Sequence, residues 1–475
     1  MLLVDITAVL PELMLVLGGM VLIMAEVFAP QARPAFAAAA AAFTIAAAAF
    51  RLAGELPGEI FSGALRLDDL ARYVDVYVLA ALLLAILLAH PYLRRTGARF
   101  GEFYALLLWA GAGAMVMAKG DHLLAVFIGL EMMSICLYAL NAFHRDSVIS
   151  LEAGWKYLVV GAFATGFLLF GVSLLYGATG TLRLAAMAGT NAAQPLVLAA
   201  LALILTGLGF KLALFPFHAW APDVYQGSPT PATAFLSVVP KGAALVVLIR
   251  LAAVLRPDLA TPRWVLLLAA IAAASMTIGN LVAIAQRDLK RMLAYSGIAH
   301  MGYALVGVAA FGAQGASAVL VYLAAYTLMN MAAFGVVSAF SESEDEPHLI
   351  TDLAGQSRQR PFLSFVLALA MISLAGIPPT LGFAAKFLVF RAAVNETLVW
   401  LAVVGVLNSL ISVFYYVRVI YYLYMKPLPK RPPEFQEPWS VRFAGALCAA
   451  GIVAAGIVPR WLIEAAEAAV RTLVR

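Results

Sequence analysis

Apolar runs of span length, separated by short polar breaks, cover almost the whole chain. A helix needs about 20 residues to cross the hydrocarbon core of a bilayer. On that measure the runs predict fourteen spans: 9–28, 35–53, 71–90, 103–118, 122–143, 154–177, 196–219, 231–254, 264–284, 290–310, 317–340, 361–390, 396–425 and 441–458. An even number places both termini on one side. The longest polar loop, about 341–360, mixes an acidic run with Arg358 and Arg360 and reads as a solvated connector. The loop at 426–438 is proline-rich and therefore extended. The tail, 460–475, reads as an amphipathic helix at the membrane interface. No basic region precedes the first apolar run, which carries Asp5 and Glu12, so it reads as a retained span and not a cleaved signal.

Composition agrees with this pattern. Of 475 residues, 64% are hydrophobic and 12% charged, against about 25% charged in soluble domains. The fold class is therefore an all-α polytopic membrane protein. The net charge of +5 comes from basic residues scattered over short loops, the densest group being Arg94, Arg95 and Arg99. Such loops reflect orientation and contact with membrane lipids, not nucleic acid. The loop charges divide almost evenly between the two sides and assign no direction. The two cysteines, Cys136 and Cys448, lie in apolar runs, with no CxxC or Cys/His spacing for zinc or an iron–sulfur cluster. No GxGxxG opens a βαβ unit and no phosphate loop is present, so no cofactor, nucleotide or quinone site is expected in this chain.

The chemistry lies in charges inside the spans. A charged side chain at the bilayer centre costs about 2.5–3.5 kcal/mol on insertion scales and usually faces a bundle interior or a water-filled path. Glu131 sits mid-span with no cation three or four residues away, so its partner should come from another helix. Lys156 opens its span four residues after Glu152, a favourable helix-start pair; from spacing alone, a structural role and a functional one are equally weighted. Lys211 lies well inside 196–219, just before Pro216 and Pro222, through which a helix cannot continue normally. Lys241 is near the middle of 231–254, and Lys386 follows the Pro378-Pro379 break by seven residues. His218 adjoins the first break and His300 lies mid-span. Each is either a hydrogen-bonded core residue or a proton relay. Glu12 and Glu26 flank the first span as interface residues.

Broken helices carrying a lysine fall in spans five to eight and again in spans ten to thirteen, which points to an internal repeat of transporter type. Proline follows lysine in the first and precedes it in the second. A buried lysine loses hydration, and a nearby carboxylate restores its charge. A lysine balanced between the two changes protonation when a neighbouring charge moves. A row of such lysines, joined by polar residues and water, would pass protons through the middle of the bundle.

Four stretches carry a family resemblance: LEAGWKYLVVGAFATGFLLFG, GFKLALFPFHAWAPDVYQGSPTPATAFLS, RMLAYSGIAHMGY and LAGIPPTLGFAAKF. With them the chain resembles, over nearly its whole length, the antiporter-like membrane subunits of respiratory complex I, the bacterial NADH-quinone oxidoreductase. The resemblance implies fourteen helices with two inverted five-helix repeats, each with a broken helix, and both termini on the periplasmic side of the bacterial inner membrane. It implies helices 1–3 in residues 1–102, an antiporter-like core in 103–425 with repeats at about 103–254 and 264–425, and a last helix and tail in 426–475. It implies proton translocation by this translocase subunit, driven by NADH-to-quinone electron transfer in partner subunits that hold FMN, iron–sulfur clusters and quinone. Neighbouring antiporter-like and small membrane subunits are the implied partners. Carried over by position, Glu131 matches the glutamate of the fifth helix and Lys156 its partner on the sixth. Lys211, Lys241 and Lys386 match the lysines of the seventh, eighth and twelfth helices, and His218 a histidine beside the seventh-helix break. His300 joins them as a candidate relay. The short tail after the fourteenth span reads as unlike the largest sister subunit with its long lateral helix, and Lys386 stands where another sister has glutamate. The competing readings are a subunit of a multi-subunit Na⁺/H⁺ antiporter, a free-standing transporter with the lysines around an anionic solute, and a purely structural subunit.

Overall fold

The computed structural model of the chain describes residues 2–55, 58–97, 100–188, 190, 194–255, 262–340, 349–428, 437–471 and 473. The acidic run at 341–348 and most of the proline-rich loop, 429–436, lie outside the described residues. Among the described residues thirteen helices are long and apolar enough to cross a membrane. The remaining expected span, 361–390, is two shorter helices, Pro361–Ala375 and Leu381–Asn395. Together these account for the fourteen predicted spans.

Several spans are longer than their apolar runs because polar residues cap them. Asp68 accepts a hydrogen bond from the Ala71 amide and starts the Asp69–Thr96 helix, which ends at Gly97 in the left-handed region, φ 65°. Ser147 caps the Val148–Thr179 helix through the Ser150 amide, two turns before the apolar run begins. The 51–72 connection holds a feature without a sequence signal. Gly58–Ile60 pairs antiparallel with Leu65–Leu67, and Leu65 bridges to Gly120. The tail forms the Arg460–Val470 helix, but its apolar face, Leu462, Ala466, Ala469 and Val470, packs on the bundle. The expected amphipathic helix is thus docked on the bundle.

The Thr230–Val254 helix is buried along all but its last turn, and the Leu289–Ala309 and Ala313–Ala339 helices nearly so. Around them stand helices with one lipid-type face, notably Val148–Thr179 and Val399–Met425, where Phe163, Phe170, Leu410 and Phe414 point outward. A charge on an inner helix therefore never meets hydrocarbon. Lys241 occupies such a position.

Two expectations near the first span need correction. Glu12 is not an interface residue: it is 4% exposed and ion-paired with Arg51 and Lys119. Glu26 is also buried. It pairs with Arg33 and accepts a hydrogen bond from the Gly101 amide at 2.9 Å. Both carboxylates lie at helix ends, as sequence position suggests. Neighbouring helices cover them, which sequence position does not reveal.

Candidate functional site

The first break separates Pro195–Leu212 from Trp220–Gly227. Ala213 ends the first half in the left-handed region, φ 55°, and its amide returns to the carbonyls of Gly209 and Phe210. The Trp220 indole also donates to the Phe210 carbonyl, at 3.1 Å. These bonds satisfy backbone groups that the break would strand. Lys211 lies in the last turn before the break, 2% exposed. Its ammonium donates to the Tyr157 hydroxyl at 3.4 Å and stands over the rings of Tyr157, Tyr138 and Phe210 at 4.9, 5.4 and 5.6 Å. Cation–π contacts of this kind hold a desolvated ammonium without fixing its proton.

Glu131 accepts a hydrogen bond from Thr165 at 2.9 Å and acts electrostatically on Lys211. Its hydrogen-bond partner is thus Thr165, and among the described residues no ion pair joins it to Lys211. Lys156 instead pairs with Glu152 at 2.7 Å and with Asp223 at 2.8 Å, and is 40% exposed at its side chain. Among the described residues no ion pair joins it to Glu131. The cause is helix geometry: Thr165 is the contact on the Val148–Thr179 helix, and Lys156 lies nine residues earlier, about 13 Å along the axis. Asp223 also binds Arg291 at 2.7 Å, so it links both halves of the chain. His218 sits in the break, half-buried, with its ring 5.6 Å from that of Phe215, and reaches none of the lysines.

Lys241 is 1% exposed and makes no hydrogen bond. It stands over Tyr225 at 5.6 Å and Tyr326 at 5.7 Å. Gly297 leaves room for it: a Cβ there would lie 2.8 Å from both the ammonium and the Tyr326 hydroxyl. The Tyr326 ring is 5.2 Å from that of His300. His300 Nδ1 bonds to Tyr322 at 2.6 Å and Nε2 to Tyr416 at 3.1 Å, and Tyr416 meets Ser296 at 2.5 Å. Tyr303 lies on another side of His300, ring to ring at 5.7 Å, and Lys386 stands over Tyr303 at 4.7 Å.

The second break follows Ala375, where Gly376 adopts φ 85°. Lys386, on the half-helix beyond it, donates to the carbonyls of Leu374 and Ala375, both at 3.0 Å. These are terminal carbonyls of the preceding half-helix, the negative end of its dipole. Lys386 thus replaces the bonds that the break removes.

The structure therefore joins Lys211, Lys241, His300 and Lys386 through aromatic side chains, places Glu131 with Thr165 at the Lys211 end, and leaves Lys156 and His218 beside the row. Sequence reasoning missed the tyrosines that separate the lysines, Tyr157, Tyr225 and Tyr326. It also missed Lys290, buried at the start of its helix and donating to the Ser228 carbonyl at 2.7 Å. Aromatics are frequent in any span and gave no signal. Lys290 stood at a predicted span edge, where a lysine ordinarily reaches the interface. Among the described residues no cluster of three or more His, Cys, Asp or Glu is placed to hold a metal ion.

Comparison with known proteins identifies the family. Residues 120–412 match the family described as NADH:quinone oxidoreductase/Mrp antiporter, transmembrane. NADH-quinone oxidoreductase subunit N of Trichlorobacter lovleyi is 41% identical, the match covering 99% of this chain and 98% of that protein. A chain of respiratory complex I from Thermus thermophilus superposes with a TM-score of 0.83 at 34% identity, covering 96% of this chain and 99% of that one. A chain of the Mrp complex from Dietzia sp. DQ12-45-1b shares the fold, with a TM-score of 0.88 at 22% identity over 100% of this chain and 98% of its own. The chain belongs to the NADH:quinone oxidoreductase/Mrp antiporter transmembrane family, among its NADH-quinone oxidoreductase subunit N members.

Proposed function

We propose that this chain is a proton-translocating membrane subunit of NADH:quinone oxidoreductase in the bacterial inner membrane. Proton movement through it is driven by electron transfer in partner subunits, which carry the FMN, iron–sulfur clusters and quinone. The observation that carries this reading is the row of half-buried Glu131 and buried Lys211, Lys241, His300 and Lys386, whose ammonium groups are held by π faces, a hydroxyl and carbonyls instead of fixed carboxylates. Among the described residues, Lys211 alone of the row's lysines has a carboxylate acting on it, Glu131. A change of charge at Glu131 then alters the proton affinity of Lys211, and the change passes along the row.

Between Lys211 and Lys241 the route runs past Tyr157, Trp220 and Tyr225, with ring separations of 4.6 and 6.4 Å. Between Lys241 and Lys386 it runs through His300, which both accepts and donates protons near neutral pH in ordinary surroundings. The Tyr225 and Tyr326 hydroxyls and the Lys241 ammonium are buried without protein partners, the kind of groups that internal water bridges. Residues 103–254 and 264–425 act as two related halves, each with one broken helix, the first carrying Glu131, Lys211 and Lys241 of the row and the second His300 and Lys386. Lys156 and His218 serve the aqueous ends of the route, Lys156 through Asp223.

The test is purification of the tagged chain in mild detergent and reconstitution of what accompanies it. An assembly that oxidises NADH and acidifies one side of the vesicle is the expected result. Exchange of Na⁺ for H⁺ without NADH oxidation would transfer the chain to the antiporter branch.

A further inference from the structure

We propose that Glu12, Arg51, Asp75 and Lys119 form a second proton site, away from the lysine row, at the end of the bundle that carries the amino terminus. The proposal rests on the proton-translocation reading above. Each residue comes from a different helix, and they are 4, 2, 0 and 0% exposed. Asp75 Oδ2 is held by Arg51 at 2.6 Å and by Lys119 at 2.7 Å. Glu12 pairs with Lys119 and lies 3.4 Å from Arg51, which also donates to the Ala8 carbonyl at 2.8 Å. Two carboxylates and two cations make the cluster neutral. Asp75 Oδ1 is buried and has no partner.

That oxygen is the acceptor. Uptake places a proton on Asp75 Oδ1 and takes the cluster from neutral to +1. In a medium of low dielectric the added charge is unfavourable, so release to water follows once water has access. Access is controlled by the hairpin. Ile60, Leu65 and Leu67 pack with Ala8 and Ala71 in a separate apolar cluster, with Val116 against it. Ala8 gives its carbonyl to Arg51, Ala71 is one helical turn before Asp75, and Val116 precedes Lys119 by three residues. The hairpin thus plugs the aqueous side of the four charges.

The site is tied to the row by the Thr230–Val254 helix. Arg250, nine residues beyond Lys241, donates to the Ala118 carbonyl at 2.8 Å, beside Lys119, and grips both oxygens of Asp68 at 2.9 and 2.8 Å. Asp68 caps the helix that carries Asp75. On the helix that carries Asp75 the Tyr77 hydroxyl donates to the Val238 carbonyl at 2.8 Å, three residues before Lys241.

The experiment compares Asp75→Asn/Lys119→Met, which keeps the cluster neutral, with Lys241→Ala and the parental protein in reconstituted whole complex. The expected result is normal assembly with loss of protons translocated per NADH in the double variant. Parental translocation in the double variant, with Lys241→Ala defective, overturns the proton site while leaving the lysine row standing. Parental translocation in Lys241→Ala instead overturns the reading on which both rest. If the double variant does not assemble, Leu67→Ser decides, since it wets the plug and leaves the charges in place. Faster decay of an imposed pH gradient supports the proposal; parental decay overturns it.

Discussion

His300 is the residue on which the second half of the row depends. Its ring stands between Tyr326, beside Lys241, and Tyr303, beside Lys386, while its two nitrogens bind Tyr322 and Tyr416. Replacing it with Ala removes the only imidazole in this segment of the route. A positioned acid–base group is worth on the order of 10²-fold in proton transfer. NADH-driven proton translocation in His300→Ala is therefore expected to fall by about that factor, with assembly unchanged on native gels. Arg250 poses a different question at the same scale. It is 3% exposed and holds Asp68 through two bonds. Breaking a buried pair from one side costs about 3–5 kcal/mol. Arg250→Ala should lower thermal stability in detergent, and Asp68→Asn/Arg250→Met should recover much of the loss. At this scale the sequence was most legible where a charge fell inside an apolar run, as with Lys211, Lys241 and Lys386. It was least legible at run edges. Glu12 and Glu26 read as interface residues there, because only packing between helices distant in sequence covers them.

Both broken helices were visible as prolines beside lysines, and the physical reason holds: proline removes an amide and the helix must end. The way each break is healed was not visible. In the first, Trp220 bonds the Phe210 carbonyl; in the second, Lys386 bonds Leu374 and Ala375. Gly376 is central to the second break, since it holds φ 85° and a Cβ there would lie 2.9 Å from the Lys386 side chain. A residue with a Cβ in the left-handed region costs about 1–2 kcal/mol. Gly376→Ala is expected to destabilise the break by about this amount and to displace Lys386 from the two carbonyls. The checks are thermal stability and proton translocation, and the second should fall more than the first. The hairpin at 58–67 escaped prediction because strands of three residues are too short to establish an alternating pattern.

For the whole molecule, the fourteen spans followed from hydrophobic length alone, and the bundle confirms their number. What length could not give was depth within the bundle. The Thr230–Val254 helix is almost entirely enclosed, and its central lysine is shielded from lipid on every side. Enclosure explains how a chain with 12% charged residues keeps several of them inside a membrane. It also explains why Glu131 meets Thr165 and not Lys156: the row follows helices stacked in space, whereas the Glu152–Lys156 pair follows neighbours in sequence. The outward faces of Val148–Thr179 and Val399–Met425 are apolar, suited to lipid or to neighbouring membrane subunits.

The most direct test of the lysine row is the number of protons translocated per NADH oxidised by the reconstituted complex carrying Lys241→Ala, with assembly verified. Lys241 lies at the centre of the row, is 1% exposed and has no hydrogen-bond partner, so its removal interrupts transfer without stranding a paired charge. The account predicts that proton translocation is lost while the complex still assembles. Parental proton translocation per NADH in the assembled variant would contradict it.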